Sequence, residues 1–159
     1  MFKSMLKGLE GKRSGFPLFF LSKREKESIV SAIRRAEKKT SGEIRVHLCR
    51  RAPSDIQAHA RKVFEKLGMT HTQRRNGVLV FIATRDRSFA VLADRGIHER
   101  LDPAFLEDVA GRMREHFRQN RFSDGVVAAV EALGEQLRRH FPAETGDVNE
   151  LPDRISYSL

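Results

Sequence analysis

The sequence of 159 residues predicts an α/β fold, a three-layer α/β/α sandwich built on a small mixed β-sheet. An unbroken apolar run over residues 78–83 is typical of a strand buried on both faces. A short charged turn separates it from a second apolar run over residues 89–93, and this spacing predicts an antiparallel hairpin. The strand, helix, strand order before the hairpin predicts a parallel pair joined by a right-handed crossover. A sheet that contains both kinds of pairing is mixed.

The first helix and the first strand of the domain follow from local patterns. Ser22, with Glu25 three residues later, has the form of a capping box and predicts a helix start. Apolar residues then fall on one helix face as far as about Lys39. Residues 43–50 alternate instead, as in a strand with one apolar face. That face holds Ile44, Val46 and Leu48.

Three further helices complete the predicted layers. The second opens within residues 52–55 and ends near Gly68, a natural residue for a helix C-terminus. The pair Asp102-Pro103 predicts the start of the third, with Asp as N-cap and Pro at the first helical position. The fourth is predicted over residues 125–140. Residues 69–75 form a polar loop between the second helix and the hairpin.

The chain divides into a basic and aromatic N-terminal arm (residues 1–21), a domain (22–142) and an acidic-polar C-terminal tail (143–159). The arm has two interpretations: it packs on the domain, or it makes a weak contact with an anionic membrane surface. The second rests on apolar residues at helical spacing among lysines, namely Phe2, Met5, Leu6 and Leu9. No segment approaches the ~20 apolar residues of a membrane span, so no transmembrane segment is predicted.

Composition limits the function classes. The chain is 40% hydrophobic and 32% charged, as in ordinary soluble proteins. The single cysteine, Cys49, excludes an internal disulfide and a Cys-based zinc site, and it suits a reducing compartment, so a cytoplasmic location is predicted. The net charge of +9 attracts polyanions. The arginine pairs are scattered along the chain, and only one tyrosine and no tryptophan are available to stack on bases. The sequence therefore has no strong nucleic-acid signature. No motif names a protein partner.

Several stretches resemble the TPM-domain family, named for its thylakoid-lumen, photosystem II-repair and nematode membrane-protein founders. They are SGEIRVHL, VFEKLGM, RNGVLVFIATRDRSFAVLADRGIHERLD and DVNELPDRIS. The resemblance runs from about Ser22 to the C-terminus and is strongest to the short, soluble bacterial members. It implies an α/β/α sandwich, and it implies either binding of divalent cations, chiefly calcium, or the acid-phosphatase-like activity of a plant relative. No organic cofactor is predicted.

The match within the hairpin is uneven. Asp86-Arg87 and Asp102 resemble positions of the family pattern. Where relatives often have Gly-Tyr-Gly-Leu-Glu, this chain has the stretch 94–98, which retains Gly96 and an aliphatic residue at Ile97. Because the stretch 94–98 departs from the family pattern, it gives the least support to a catalytic role like that of the plant relative.

Carboxylates in the turn and exit of the hairpin are candidate metal ligands, because calcium takes several hard oxygen ligands from loops. They are Asp86, Asp94, Glu99 and Asp102, and the neighbouring His98 is a lesser candidate. The tail offers Asp147, Asn149, Glu150 and Asp153. No complete twelve-residue calcium loop is present, so binding is expected to be weak or assembled from distant segments. The alternative is that these carboxylates form salt bridges, cap helices or are solvated.

Asp86 and Arg87 are the best catalytic candidates. Asp86 lies between Arg85 and Arg87, where a nucleophile or ligand would have cations beside it to stabilise a phosphoryl group. Cys49 lacks the Cys-x5-Arg pattern, and neither a Gly-rich phosphate loop nor a Ser-His-Asp signature is present. The leading hypothesis is a weak calcium-binding domain. The alternatives are an acid-phosphatase-like hydrolase and a module whose basic surface binds an acidic partner, nucleic acid or membrane.

Overall fold

The structure is a computed structural model that describes residues 13–52, 54–144 and 155–158, together with the backbone of residues 2–5. Its elements in chain order are β1 (Phe2–Met5), α1 (Pro17–Phe20), α2 (Lys23–Glu37), β2 (Glu43–Cys49), α3 (Ile56–Lys66), β3 (Gly77–Ala83), β4 (Ser88–Ala93), α4 (Arg95–His98), α5 (Ala104–Arg118), α6 (Phe122–His140) and β5 (Ser156–Ser158).

The strands form one sheet in the order β1-β4-β3-β2-β5. β2 and β3 are parallel, in register from Glu43 opposite Gly77 to Cys49 opposite Ala83. β4 returns antiparallel to β3, and β1 pairs antiparallel with β4. β5 pairs parallel with β2 at the other edge. The sheet is therefore mixed, as the sequence predicts.

Helices cover both faces of the sheet, which confirms the three-layer sandwich. α2, α5 and α6 pack on one face in the larger apolar cluster, and α3 packs on the other face in the smaller one. The central strand β3 is buried on both faces because it contributes to both clusters: Val80 faces the larger and Leu79 the smaller. The apolar face of β2 that the sequence predicts lies entirely in the larger cluster.

The helix starts follow from capping residues. Ser22 Oγ accepts a hydrogen bond from the Glu25 amide at 3.1 Å, and Glu25 Oε1 accepts one from the Ser22 amide at 3.0 Å, which confirms the predicted capping box. Asp55 caps α3 with its side chain. Asp102 Oδ1 accepts from the Ala104 amide at 2.9 Å, so it satisfies the first turn of α5 as expected.

Two helices differ from the sequence pattern. α4 is a single turn within the hairpin exit, too short for an apolar period to predict. α6 begins at Phe122 rather than near Gly125. The break before it is short because Asn120 adopts a left-handed φ of 60°, which reverses the chain within three residues of the end of α5.

Both ends of the chain contribute strands. Residues 2–5, whose apolar spacing suggested a helical anchor, pair with β4 as β1, while Leu6 and Leu9 lie outside the described residues. The C-terminal segment, interpreted from sequence as a tail, ends in β5. Three residues are too few to show an alternating pattern, so only pairing reveals this strand. Within the described residues, no helix has the length and apolar character needed to cross a bilayer.

Candidate functional site

The candidate ligands of the hairpin lie at opposite ends of the strands. We call these ends the carboxyl edge and the amino edge, after the ends of the parallel strands β2 and β3 that lie there. Because β4 runs antiparallel to β3, its first residue lies opposite Ala83 and its last opposite Val78. Asp86 is therefore at the carboxyl edge of β2 and β3, whereas Asp94 follows β4 at their amino edge. The six residues of β4 span roughly 20 Å. The sequence interpretation that grouped the turn and the exit as one ligand cluster is corrected by this strand direction.

Asp86 has a structural contact at the carboxyl edge. Its Oδ2 accepts a hydrogen bond from the Ala52 amide at 2.8 Å, which ties the loop after β2 to the hairpin turn. Its neighbour Arg87 has a left-handed φ of 52° and donates through Nη2 to the Arg13 carbonyl at 2.9 Å. The Arg87 guanidinium also lies 5.2 Å from the Phe20 ring centre. Arg87 thus contacts the N-terminal segment.

Positive charge dominates this edge. Arg50 and Arg51 follow β2, and Arg85 and Arg87 flank Asp86 in the turn. A divalent cation at Asp86 would be repelled by the positive charge of these guanidinium groups. The carboxyl edge therefore suits an anion better than calcium.

Cys49 is excluded as a nucleophile. Its side chain is buried, and the thiol donates to the Arg51 carbonyl at 3.3 Å. Burial, followed by the negative charge of Asp86, raises the pKa of the Cys49 thiol to about 12. The thiol is protonated at neutral pH and therefore unreactive.

Asp94 holds the hairpin exit together. Its two carboxylate oxygens accept from Arg75, at 2.7 Å to Nε and 2.9 Å to Nη2. Oδ1 also accepts from the Arg95 amide at 2.8 Å and caps α4. Only 6% of the Asp94 side chain is exposed. Both Asp94 oxygens therefore already accept hydrogen bonds from the protein, and the salt bridge is the alternative role that the sequence analysis gave for these carboxylates.

Glu99 and Asp102 remain exposed at the amino edge, as does His98. The start of the acidic segment reaches the same place, since Glu144 forms an ion pair with Arg74, the residue before Arg75. The candidates Asp147, Asn149 and Glu150 follow it but lie outside the described residues.

No preformed metal centre occurs in the described part of the chain. Within residues 13–52, 54–144 and 155–158, no group of three or more His, Cys, Asp or Glu side chains is placed to hold a metal ion. Any cation site at the amino edge therefore needs ligands beyond Glu99 and Asp102.

His47 is a buried polar residue whose role sequence reasoning missed. Its ring nitrogens lie 2.7 Å from Ser156 Oγ and 2.8 Å from Ser158 Oγ, and its ring stacks on Phe81 at 5.7 Å. Burial, with the positive charge of Arg45 and then His59, lowers the pKa of His47 to about 4. The neutral ring therefore joins β2 to β5. The role of His47 depends on the pairing of β5 with β2, and no periodic pattern in the sequence predicts that pairing.

Comparisons with known proteins agree with this architecture. A family model described as the TPM domain matches residues 19–136. The NMR structure of the BA42 protein from the psychrophilic bacterium Bizionia argentinensis is 39% identical with a TM-score of 0.81, over 87% of this chain and 96% of that one. The solution NMR structure of the N-terminal domain of the cg2496 protein from Corynebacterium glutamicum shares the fold at 12% identity, with a TM-score of 0.57 over 85% of this chain and 79% of that one. No curated protein matches the chain in sequence.

Proposed function

The chain belongs to the TPM domain family, and on that premise we propose that it is a binding domain that takes up divalent cations weakly, calcium before others, at the amino edge of β2 and β3. One observation carries this proposal. The acidic segment after Glu144 begins beside the hairpin exit, because Glu144 pairs with Arg74 and the neighbouring Arg75 pairs with Asp94. The carboxylates of the hairpin exit and Glu144, which are far apart in sequence, thus lie at the same amino edge.

Hard oxygen ligands support a site of this composition. Calcium takes six to eight oxygens, and carboxylates in loops combine with backbone carbonyls and water to supply them. Glu99 and Asp102 contribute exposed carboxylates from the exit. Asp147, Asn149 and Glu150 are the proposed ligands from the acidic segment. Because these ligands come from separate segments, we expect a dissociation constant on the order of 10⁻⁴ to 10⁻³ M.

Calorimetric titration with calcium tests the proposal. The double variants Glu99→Gln/Asp102→Asn and Asp147→Asn/Glu150→Gln should each weaken binding by about tenfold, since each removes two charged ligands. Asn at position 102 keeps a side-chain oxygen for the cap of α5, so the fold is retained. Asp86→Asn is the matched control and should bind calcium as the unmodified chain does.

Two results would overturn the proposal. The first is the absence of binding heat at millimolar calcium. The second is a loss of affinity in Asp86→Asn with none in the two double variants, since that result would place the cation among the arginines of the opposite edge.

Phosphoester hydrolysis, the alternative that family resemblance suggests, is not favoured by a specific contact. The Asp86 carboxylate is engaged by the Ala52 amide, and Arg87 is engaged by the N-terminal segment. A hydrolase centred on Asp86 would release phosphate from an aryl phosphate at acidic pH and would lose that activity in Asp86→Asn. The control variant of the calcium titration therefore also serves to test the alternative.

A further inference from the structure

An exposed apolar turn projects from the carboxyl edge of the sheet. Phe16, Leu18 and Phe19, in and just before α1, are 49%, 54% and 75% exposed. In the described ranges they are the exposed large hydrophobic residues. Together they present on the order of 300 Å² of apolar surface, a patch size that in monomeric proteins often marks an interaction site.

The turn is held firmly against the domain. Phe20, with only 2% exposed, packs edge-on against Phe122 with ring centres 4.7 Å apart. Thr84 Oγ1 donates to the Gly15 carbonyl at 2.6 Å, which attaches the residues before α1 to the end of β3. Because Pro17 and Phe20 face inward, one helical turn apart, the residues between them face solvent. The exposure of this turn therefore follows from its anchoring.

Cations surround the turn. The Arg50 guanidinium lies 4.5 Å from the Phe16 ring centre, and Lys26 Nζ donates to the Leu18 carbonyl at 3.2 Å. Lys23 and Arg24 are exposed at the start of α2, directly after the turn. Arg85 lies beside Gly15, since a Cβ added to Gly15 would be 3.6 Å from the Arg85 Cβ.

Two carboxylates beside the turn, Glu25 and Asp86, do not cancel this charge. Glu25 is neutralised by Arg13, with oxygen–nitrogen distances of 2.8 and 2.5 Å. Asp86 is outnumbered by the arginines around it. The surface around the apolar turn is therefore basic.

From the exposed turn and its basic rim we propose that this edge of the domain docks on an anionic lipid membrane surface. Leu18 and Phe19 enter the boundary between headgroups and acyl chains, while Arg50, Arg85 and Lys23 contact lipid phosphates. Single-stranded nucleic acid stacks its bases on aromatic side chains in a basic groove, whereas an exposed turn with an aliphatic residue beside two aromatic ones suits a lipid boundary better. Docking needs no divalent cation, so it is independent of the cation proposal.

Tryptophan fluorescence provides a direct test, because the chain contains no tryptophan. In Phe19→Trp, vesicles of equal parts phosphatidylglycerol and phosphatidylcholine at low salt should shift the emission to the blue. The shift should disappear at ~0.5 M salt, where the screening length falls to a few ångströms. His71→Trp is the matched reporter. It lies in the exposed loop before β3, at the opposite edge, and its emission should not change.

Vesicle sedimentation of the full chain separates the apolar and the charged contributions. Leu18→Ser/Phe19→Ser, which alters only exposed positions, should weaken binding by about tenfold. Arg50→Gln/Arg85→Gln should weaken it by a similar factor. Lys38→Gln/Lys39→Gln is the control of equal charge, at the far end of α2, roughly 22 Å away, and should bind as the unmodified chain does. All measurements include EDTA.

Four outcomes would overturn the proposal. They are the absence of a blue shift with anionic vesicles at low salt, equal binding to vesicles of phosphatidylcholine alone, salt-sensitive binding of a single-stranded RNA through Phe19 without vesicle binding, and burial of Phe19 by concentration-dependent dimerisation. Sedimentation equilibrium without lipid detects the last.

Discussion

Gly96 shows how one residue fixes the exit of the hairpin. Its amide donates to the Arg75 carbonyl at 2.9 Å, directly beside the Arg75–Asp94 ion pair. A Cβ at this position would collide with the Arg74 carbonyl oxygen and would lie 2.7 Å from that of Arg75. The loop before β3 can therefore close on α4 only if residue 96 has no side chain.

Gly96→Ala should destabilise the fold by roughly 2–4 kcal/mol, because backbone rather than a movable side chain fills the space. Gly111→Ala is the matched control within α5. A Cβ there meets nothing within 4 Å, and we expect a gain of about 0.5–1 kcal/mol from higher helix propensity. Urea denaturation of both variants measures the difference. Equal stabilities would show that the loop closes differently.

The roles of the candidate residues could be predicted only where their partners are close in sequence. The sequence identified Asp94 as polar and near a turn, but the partner that engages both its oxygens, Arg75, is 19 positions earlier. Asp102 is more local, since its cap acts on an amide two residues away, and that contact was predictable. Residue-scale roles were therefore inferred correctly where the contact is local.

At the scale of elements, β5 is joined to the sheet through one side chain of β2. His47 bridges to the hydroxyls of Ser156 and Ser158, and these are also the positions that pair with β2 at either end of β5. A strand of three residues has few backbone hydrogen bonds, so these side-chain contacts form a large part of its attachment.

This attachment should depend on pH. His47 has a pKa of about 4 in the fold and about 6.5 in the unfolded chain, so the unfolded chain binds more protons between these values. The contribution of His47 is complete above pH 6.5 and is lost as the pH falls toward 4. From pH 7.5 to pH 5 we expect a loss of about 1–2 kcal/mol in the free energy of unfolding.

His47→Gln should flatten this pH dependence in urea denaturation, whereas the exposed His98→Gln should retain it. Two carboxylates with lowered pKa values, Glu25 and Glu135, lose their stabilising contribution only below about pH 4.5, outside this window. The same pH dependence in His47→Gln as in the unmodified chain would contradict the assignment.

At the scale of the whole molecule, one sheet unites two apolar clusters. Adjacent residues of β3 and β4 face opposite sides, so both helix layers pack on side chains of the same strands. We therefore expect the two layers to unfold together.

Two identical substitutions test this cooperativity. Met113 packs in the larger cluster and Met69 in the smaller, and both are fully buried. Met113→Ala and Met69→Ala should each cost about 2–4 kcal/mol, and the double variant should be additive to within ~0.5 kcal/mol because the sheet separates the sites. Circular dichroism should show a single urea transition for each. A separate early transition in Met69→Ala would mean that the α3 layer unfolds alone.

The three-layer sandwich, the mixed sheet, the longer helices and the family could all be predicted from the sequence. Apolar periodicity and caps such as Ser22 with Glu25 act within a few residues, and those interactions are readable along the chain. Three features became visible only in the folded chain: Asp86 and Asp94 lie at opposite edges, β5 completes the sheet, and the turn around Phe19 faces solvent. A periodic pattern reports which face of an element is buried. Strand direction and pairing decide which distant residues meet, and these depend on contacts across the whole fold.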